Sequence, residues 1–298
     1  MVGHTGLKLR MAVAGSILFV FYAALAGFLL LTFGTSSTML VLVLLGSVAF
    51  AGFQYKFGKW AALRSVGAED MPEEGQYREI HRAVEQLSRD MEIEKPRLMI
   101  ADMGTPNAFA VGRKGAGTVV VSREIIQVLD REELEGVLAH ELAHIKNRDV
   151  VVMVLGQSLA SMIGVAVQFA VLFGGERNIG MYFVAMIAGT IAQMLVMIFV
   201  FAISRYREYV ADNDAADYTN NPDAMARALK KIQQGAKQRQ QAQASSRGRG
   251  GSDRGTPDEV AALCIFGGER GLLQKIFATH PPVEKRIDRL RSRSGARY

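Results

Sequence analysis

His140-Glu141-Leu142-Ala143-His144 sets two imidazoles and a carboxylate within five residues. On an α-helix, residues four apart lie almost one above the other, so both imidazoles can address a single ion while Glu141 projects to its side. Imidazoles suit zinc, and a carboxylate beside such an ion is the group that moves a proton on and off a reacting water. The chemistry this suggests is metal-assisted hydrolysis. The competing reading is a surface helix with two incidental histidines. The chain has five histidines, and chance would give this spacing in on the order of one such sequence in two hundred, which weighs against that reading.

A catalytic zinc needs a third protein ligand and an open position. The remaining histidines are His4, His81 and His280, and Cys264 is the only cysteine. A thiolate cage and an intramolecular disulfide are therefore excluded, which fits a reducing compartment, and a carboxylate becomes the natural third ligand. His144 stands six residues before an apolar run that begins at Val150, and Glu208 five residues after one that ends at Ile203. If both helices continue straight, the two side chains lie roughly 9 and 8 Å beyond the apolar layer, at matching height. Asp212, one turn past Glu208, suits a carboxylate that orients a ligand histidine. Taken alone, the stretch holding Arg205, Arg207, Glu208 and Asp212 would read as a solvated helix end.

The elements that must hold these residues follow from the uneven distribution of apolar side chains over the 298 residues. Met11 to Phe33, Met39 to Tyr55, Val150 to Gly174 and Met181 to Ile203 are apolar blocks, and the longer ones can cross a hydrocarbon layer of about 30 Å. Ala24-Leu25-Ala26 resembles a signal-peptidase site, but the apolar run continues past it through Phe33, which favours a retained span. Lys8, Arg10, Lys56, Lys59, Arg64, Lys146, Arg148, Arg205 and Arg207 flank one side of the spans, and the short connections on the other side hold only Arg177. Both termini and the segment between the second and third spans are thereby predicted to face the cytosol. The net charge of +6 fits this positive-inside bias better than nucleic-acid binding.

Four segments result. Residues 1–59 form a two-span hairpin, 60–149 a cytosolic segment carrying HExxH, 150–203 a second hairpin and 204–298 a second cytosolic segment. Within the first cytosolic segment, Gln76 to Met91 has the apolar spacing of an amphipathic helix, and Arg97 to Ala101, Asn107 to Val111 and Thr118 to Ser122 read as strands of a small sheet. Asp130 and Glu133 open the HExxH helix in the manner of a capping box, and no Gly or Pro interrupts Val137 to Leu155, so that helix is expected to run nearly into the third span. Arg205 to Tyr218 and Ala224 to Gln234 read as helices. Residues 235–257 are rich in Gln, Ser, Gly and Arg and read as a flexible loop.

His140 to Asp149 together with Ser204 to Asp212 resemble the HtpX-type membrane metallopeptidases, relatives of the eukaryotic CAAX prenyl proteases. The likeness extends to Asn107-Ala108-Phe109-Ala110-Val111-Gly112, to Thr279-His280-Pro281-Pro282 and to the four-span layout. The resemblance implies a polytopic α-helical membrane protein with a mainly helical, gluzincin-like cytosolic catalytic domain and a small β-sheet. It also implies one zinc ion per chain, Glu208 as third ligand and quality control of membrane or misfolded proteins. Glu141 is then the general base. Asn107 becomes a candidate for holding an extended substrate along an edge strand, beside its reading as a turn residue after Pro106. His280 becomes a candidate for steadying the charge of the tetrahedral intermediate without binding zinc, beside its reading as a cap of the helix Val283 to Leu290. Rival functions are an intramembrane metalloprotease, disfavoured by the charges Glu133, Glu135, Lys146, Arg148 and Asp149 around the motif, and a noncatalytic membrane scaffold or transporter, whose spans would need a midplane ionisable pair.

Overall fold

The structure, a computed structural model, describes residues 45, 49, 52, 53, 56–174, 178–247 and 280–295. The expected span Met11 to Phe33, all but four residues of Met39 to Tyr55, and residues 248–257 of the expected loop lie outside the described residues.

Four strands, β1 (Glu69–Asp70), β2 (Arg97–Ala101), β3 (Ala108–Val111) and β4 (Thr118–Ser122), form one sheet in the order β1-β2-β4-β3. β2 and β4 run parallel, while β1 pairs with β2 and β3 with β4 antiparallel, Ala108 facing Val121 and Ala110 facing Val119. The β-branched run of β4 lies in the middle because both its faces are buried. β3 is left on an edge of the sheet. β1, too short to carry a periodic signal, was not anticipated from the sequence.

Besides helical residues 56–65, the described helices are α1 (Arg78–Asp90), α2 (Arg123–Val128), α3 (Arg131–Lys146), α4 (Asp149–Gly174), α5 (Ile179–Thr219), α6 (Pro222–Arg247) and α7 (Val283–Gly295). The start of α3 is a complete capping box. Asp130 accepts the Glu133 N–H at 3.0 Å, and Glu133 accepts the Asp130 N–H at 3.1 Å, satisfying two of the orphan donors of a helix start. Glu133 is buried and also receives Lys231 of α6 at 2.5 Å, which fastens the two helices together.

Two expectations are corrected. The helix carrying HExxH does not run on into the third apolar block. It stops at Lys146, Arg148 takes the left-handed conformation at φ 56°, and α4 starts at Asp149. Such a conformation disfavours a side chain by about 1–2 kcal/mol, and it is held by the neighbours of Arg148: Asn147 donates to Asp214 at 3.0 Å, and Asp149 pairs with Arg207 at 2.8 Å. Residues 235–247, expected as loop, continue α6. Ala, Gln, Lys and Arg are good helix formers, and between Ala236 and Arg247 no Gly or Pro interrupts them.

The chain divides into two compact units. Among the described residues, one holds 58–150, 207–247 and 280–295. Its main core packs Val84 and Leu87 of α1, Ile100, Val119 and Val121 of the sheet, and Val137, Leu138 and Leu142 of α3 with Leu229 and Ile232 of α6 and Leu290 of α7. The other face of the sheet, with Met99, Phe109 and Val120, is covered by Leu63 and Val66. The second unit holds 151–174 and 178–206 together with the described residues up to Phe57. α4 and α5 are long and apolar enough to cross a membrane. In this unit Phe169, Phe173, Ile187 and Leu195 are exposed while Ala160 and Ala185 are buried, the reverse of a water-soluble helix pair. A Cβ on Gly189 would lie 2.5 Å from the Gly164 carbonyl oxygen, so the closeness of α4 and α5 depends on glycine there.

Candidate metal centre

α3 supplies His140, Glu141 and His144, and α5, past its apolar portion, supplies Glu208 and Asp212. His140, Glu141, Glu208 and Asp212 are each at most 4% exposed. The helical repeat sets the two imidazoles edge to face, with ring centres 4.7 Å apart, and leaves their Nε2 atoms 3.1 Å from each other. Glu208 Oε2 lies 3.6 Å from His140 Nε2, and Oε1 lies 3.6 Å from His144 Nε2. Among the described residues these three offer donor atoms within 4.8 Å of one another, as a single metal ion requires.

The surroundings decide which atoms are free to bind. His140 Nδ1 faces Asp212 Oδ1 at 3.1 Å, and His144 Nδ1 faces Asp149 Oδ2 at 2.6 Å. On His144, hydrogen-bonded at Nδ1, the carboxylate holds the proton there and leaves Nε2 for the ion, while beside His140 the aspartate is an ion-pair neighbour. His140 Nε2, 3.1 Å from His144 Nε2, also lies 3.3 Å from Arg286 Nη2, a donor whose place a metal ion would take. Burial disfavours a charged His140, but the hydrogen bonds of Asp212 and Glu208 outweigh it and bring His140 up to about 9. Burial and the neighbouring His140 push His144 down to about 4. A divalent cation between the two rings would supply positive charge there without a proton. The donor set fits such an ion: two imidazoles and one carboxylate.

Burial raises the Glu141 carboxyl, against the opposing pull of His144 and His140. Burial would also raise Glu208 and Asp212, yet both are held below the ordinary range, Glu208 well below it by His280 and Arg286, and Asp212 chiefly by Arg286. His280 Nδ1 lies 3.0 Å from Glu208 Oε1. Asn107 sits just before β3. Its backbone N–H donates to Ser122 Oγ at 3.0 Å, its carbonyl accepts the Ser122 N–H at 2.9 Å, and its side-chain amide reaches Met103 Sδ at 3.7 Å. β3 reaches the cluster at Ala110, whose backbone amide slightly opposes the rise of the Glu141 carboxyl.

Sequence reasoning passed over Arg286. It is fully buried, donates to Asp212 through Nε at 2.8 Å and Nη2 at 2.6 Å, and sets Nη1 3.0 Å from Glu208 Oε2. Its signal was present in the helical spacing Val283, Ile287, Leu290. Arg286 occupies the same stripe, and a charge on an apolar stripe has to be paired. Asp149 and Arg207 fall inside the stretches that carry the family resemblance and flank the spans with charge, but the sequence alone gives neither a role at the site.

The model of peptidase family M48 matches residues 74–294. The chain is 55% identical over 290 residues to a protein of Halobacterium salinarum named Protease HtpX homolog, an alignment covering 95% of this chain and 100% of the relative. It is 38% identical over 270 residues to the Protease HtpX homolog of Aquifex aeolicus, covering 86% of this chain and 84% of that one. Its fold is similar to the crystal structure of Ste24p from S. mikatae, with a TM-score of 0.55 and 17% identity, over 96% of this chain and 64% of that chain.

Proposed function

Because this chain belongs to peptidase family M48, we propose that His140, His144 and Glu208 hold one zinc ion with which it cleaves peptide bonds. The membership makes it a membrane metalloprotease. The zinc, the residue roles and the substrates are our reading. The observation that carries it is the convergence of the two Nε2 atoms on each other and on the Glu208 carboxylate, with an aspartate behind each imidazole.

Zinc held there would act as a Lewis acid on the scissile carbonyl and bring the pKa of water down to about 7. Glu141 takes a proton from that water on its carboxylate and returns it to the leaving amine. Burial makes the carboxylate a stronger base than one in solvent, which suits this work near neutral pH. The β3 edge supports an extended substrate by main-chain pairing, with Asn107 at its start and Ala110 beside Glu141. His280, next to Glu208, donates to the oxygen on which negative charge develops.

The layout we propose is gluzincin-like. Two membrane hairpins at 1–59 and 150–203 carry catalytic segments at 60–149 and 204–298, with both termini and the site on the cytosolic face of the cytoplasmic membrane. The Lys and Arg distribution around the spans supports this orientation. The substrates we propose are membrane or misfolded proteins, in a quality-control role, and nucleic acid is not among the partners.

The test is metal analysis and cleavage of a membrane-protein substrate with wild type, Glu141→Gln and Glu208→Ala. We expect one zinc in the wild type. Glu141→Gln should retain that zinc with turnover lowered by roughly 10²–10⁴-fold, and Glu208→Ala should lose both. Substantial turnover by Glu141→Gln would remove its role as base, and unchanged zinc in Glu208→Ala would assign the third ligand elsewhere.

A further inference from the structure

We propose that Asp149 and Arg207 form a positioning unit for His144, fixing the imidazole so that Nε2 addresses the ion. This rests on the zinc reading of the cluster.

Asp149 spans the gap between two groups. Its Oδ2 stands 2.6 Å from His144 Nδ1 and its Oδ1 stands 2.8 Å from Arg207 Nε. Asp149 and Arg207 are 5% and 6% exposed, so neither charge is compensated by bulk water. Oδ1 is in ion-pair contact with the guanidinium, without a hydrogen bond from Nε, and Oδ2 is the oxygen that meets the imidazole N–H, so the carboxylate held between the two groups fixes the ring in one tautomer and one rotation. Arg207 immediately precedes Glu208 on α5, so the unit also ties the ring from α3 to the helix that delivers the carboxylate.

The backbone carries a second, independent observation. On an uninterrupted helix a residue five positions on lies about 140° round the axis, too far to meet His144. Here Arg148, a non-glycine residue, is held at φ 56° between α3 and α4, and that turn brings Asp149 back against the ring. His140 has an equivalent arrangement from unrelated parts of the chain, Asp212 backed by Arg286. Each imidazole of the cluster is thus backed by an aspartate that is itself gripped by an arginine.

The experiment compares the full-length, detergent-purified wild type with Asp149→Asn and Arg207→Lys. Zinc affinity is read by competition with a chelator and the geometry of the site by the visible absorption of the cobalt-substituted protein. Asp149→Asn keeps the size and an acceptor oxygen but loses the charge, and we expect about a ten- to hundredfold loss of zinc affinity with an altered cobalt spectrum. Arg207→Lys keeps the charge but not the planar donor, and a smaller loss of the same sign is expected. A merely structural tether would lower the melting temperature while the folded protein kept its zinc affinity and cobalt spectrum. That result in either variant would overturn the proposal, and Arg207→Lys supplies it should Asp149→Asn not fold. A wild type that takes up no zinc would overturn the cluster reading itself, a distinguishable failure.

Discussion

The two imidazole supports of the cluster use the same chemistry but differ in depth. Behind His140, Asp212 is 3% exposed and Arg286 is wholly buried and reaches Glu208 as well. Behind His144, Asp149 and Arg207 sit nearer the surface, and the His144 side chain itself is 17% exposed. The inner support has become part of the core, since Arg286 lies on the α7 stripe with Ile287 and Leu290. Removing a residue from it should harm folding and metal binding together, whereas changes to the outer support should act mainly on the metal.

The sharpest test of that contrast is Arg286→Met beside Arg207→Met. Removing one partner of a buried ion pair strands the other, at about 3–5 kcal/mol, and Arg286 would strand two carboxylates, Asp212 and Glu208. We expect Arg286→Met to lose stability on that scale in denaturant titration and Arg207→Met to lose less. Equal losses would erase the distinction between inner and outer supports.

His280 touches Glu208 but belongs to neither support. His280→Ala should therefore retain zinc and near-normal stability while kcat falls about a hundredfold, the scale of one lost donor to a developing oxyanion. Zinc loss in this variant would enrol His280 among the ligands, and an unaltered kcat would leave it a cap of α7.

The smallest effect concerns the helix that presents both histidines. Asp130→Ala removes the cap at the start of α3 and should cost about 1 kcal/mol, with both supports intact and kcat unchanged. The Glu133 backbone N–H holds the Asp130 carboxyl below its ordinary value. Its contribution is therefore full above the unfolded-chain value of about 3.9 and is lost as pH falls through the lower folded value. The stability difference between wild type and Asp130→Ala should accordingly be constant near neutrality and close in acid. A difference that grew on acidification would contradict the cap.

The parts of the molecule that could be read in advance are those whose signal is local. The HExxH spacing, the capping box at Asp130 and Glu133, the apolar runs of α4 and α5 and the β-branched run of β4 each depend on residues a few positions apart. Their periods are those of the helix and the strand. The first part of the expected loop 235–257 is helical because a polar composition that buries little still carries helix propensity, which extends α6 to Arg247. The break at Arg148 has the opposite origin. No local residue type marks it, and the partners that hold the flanking residues, Asp214 and Arg207, lie more than fifty positions away.

By itself, then, the sequence determined the chemistry on offer, two imidazoles on one helix face with a carboxylate to their side, together with the apolar runs and three of the four strands of the small sheet. Only the tertiary structure decided how those imidazoles are turned. It brought Asp212 and Arg286 to one ring and Asp149 and Arg207 to the other. The physical reason is that a buried charge persists where an opposite charge meets it at hydrogen-bonding distance. Which charges meet is set by the packing of α3, α5 and α7, a property of no single segment.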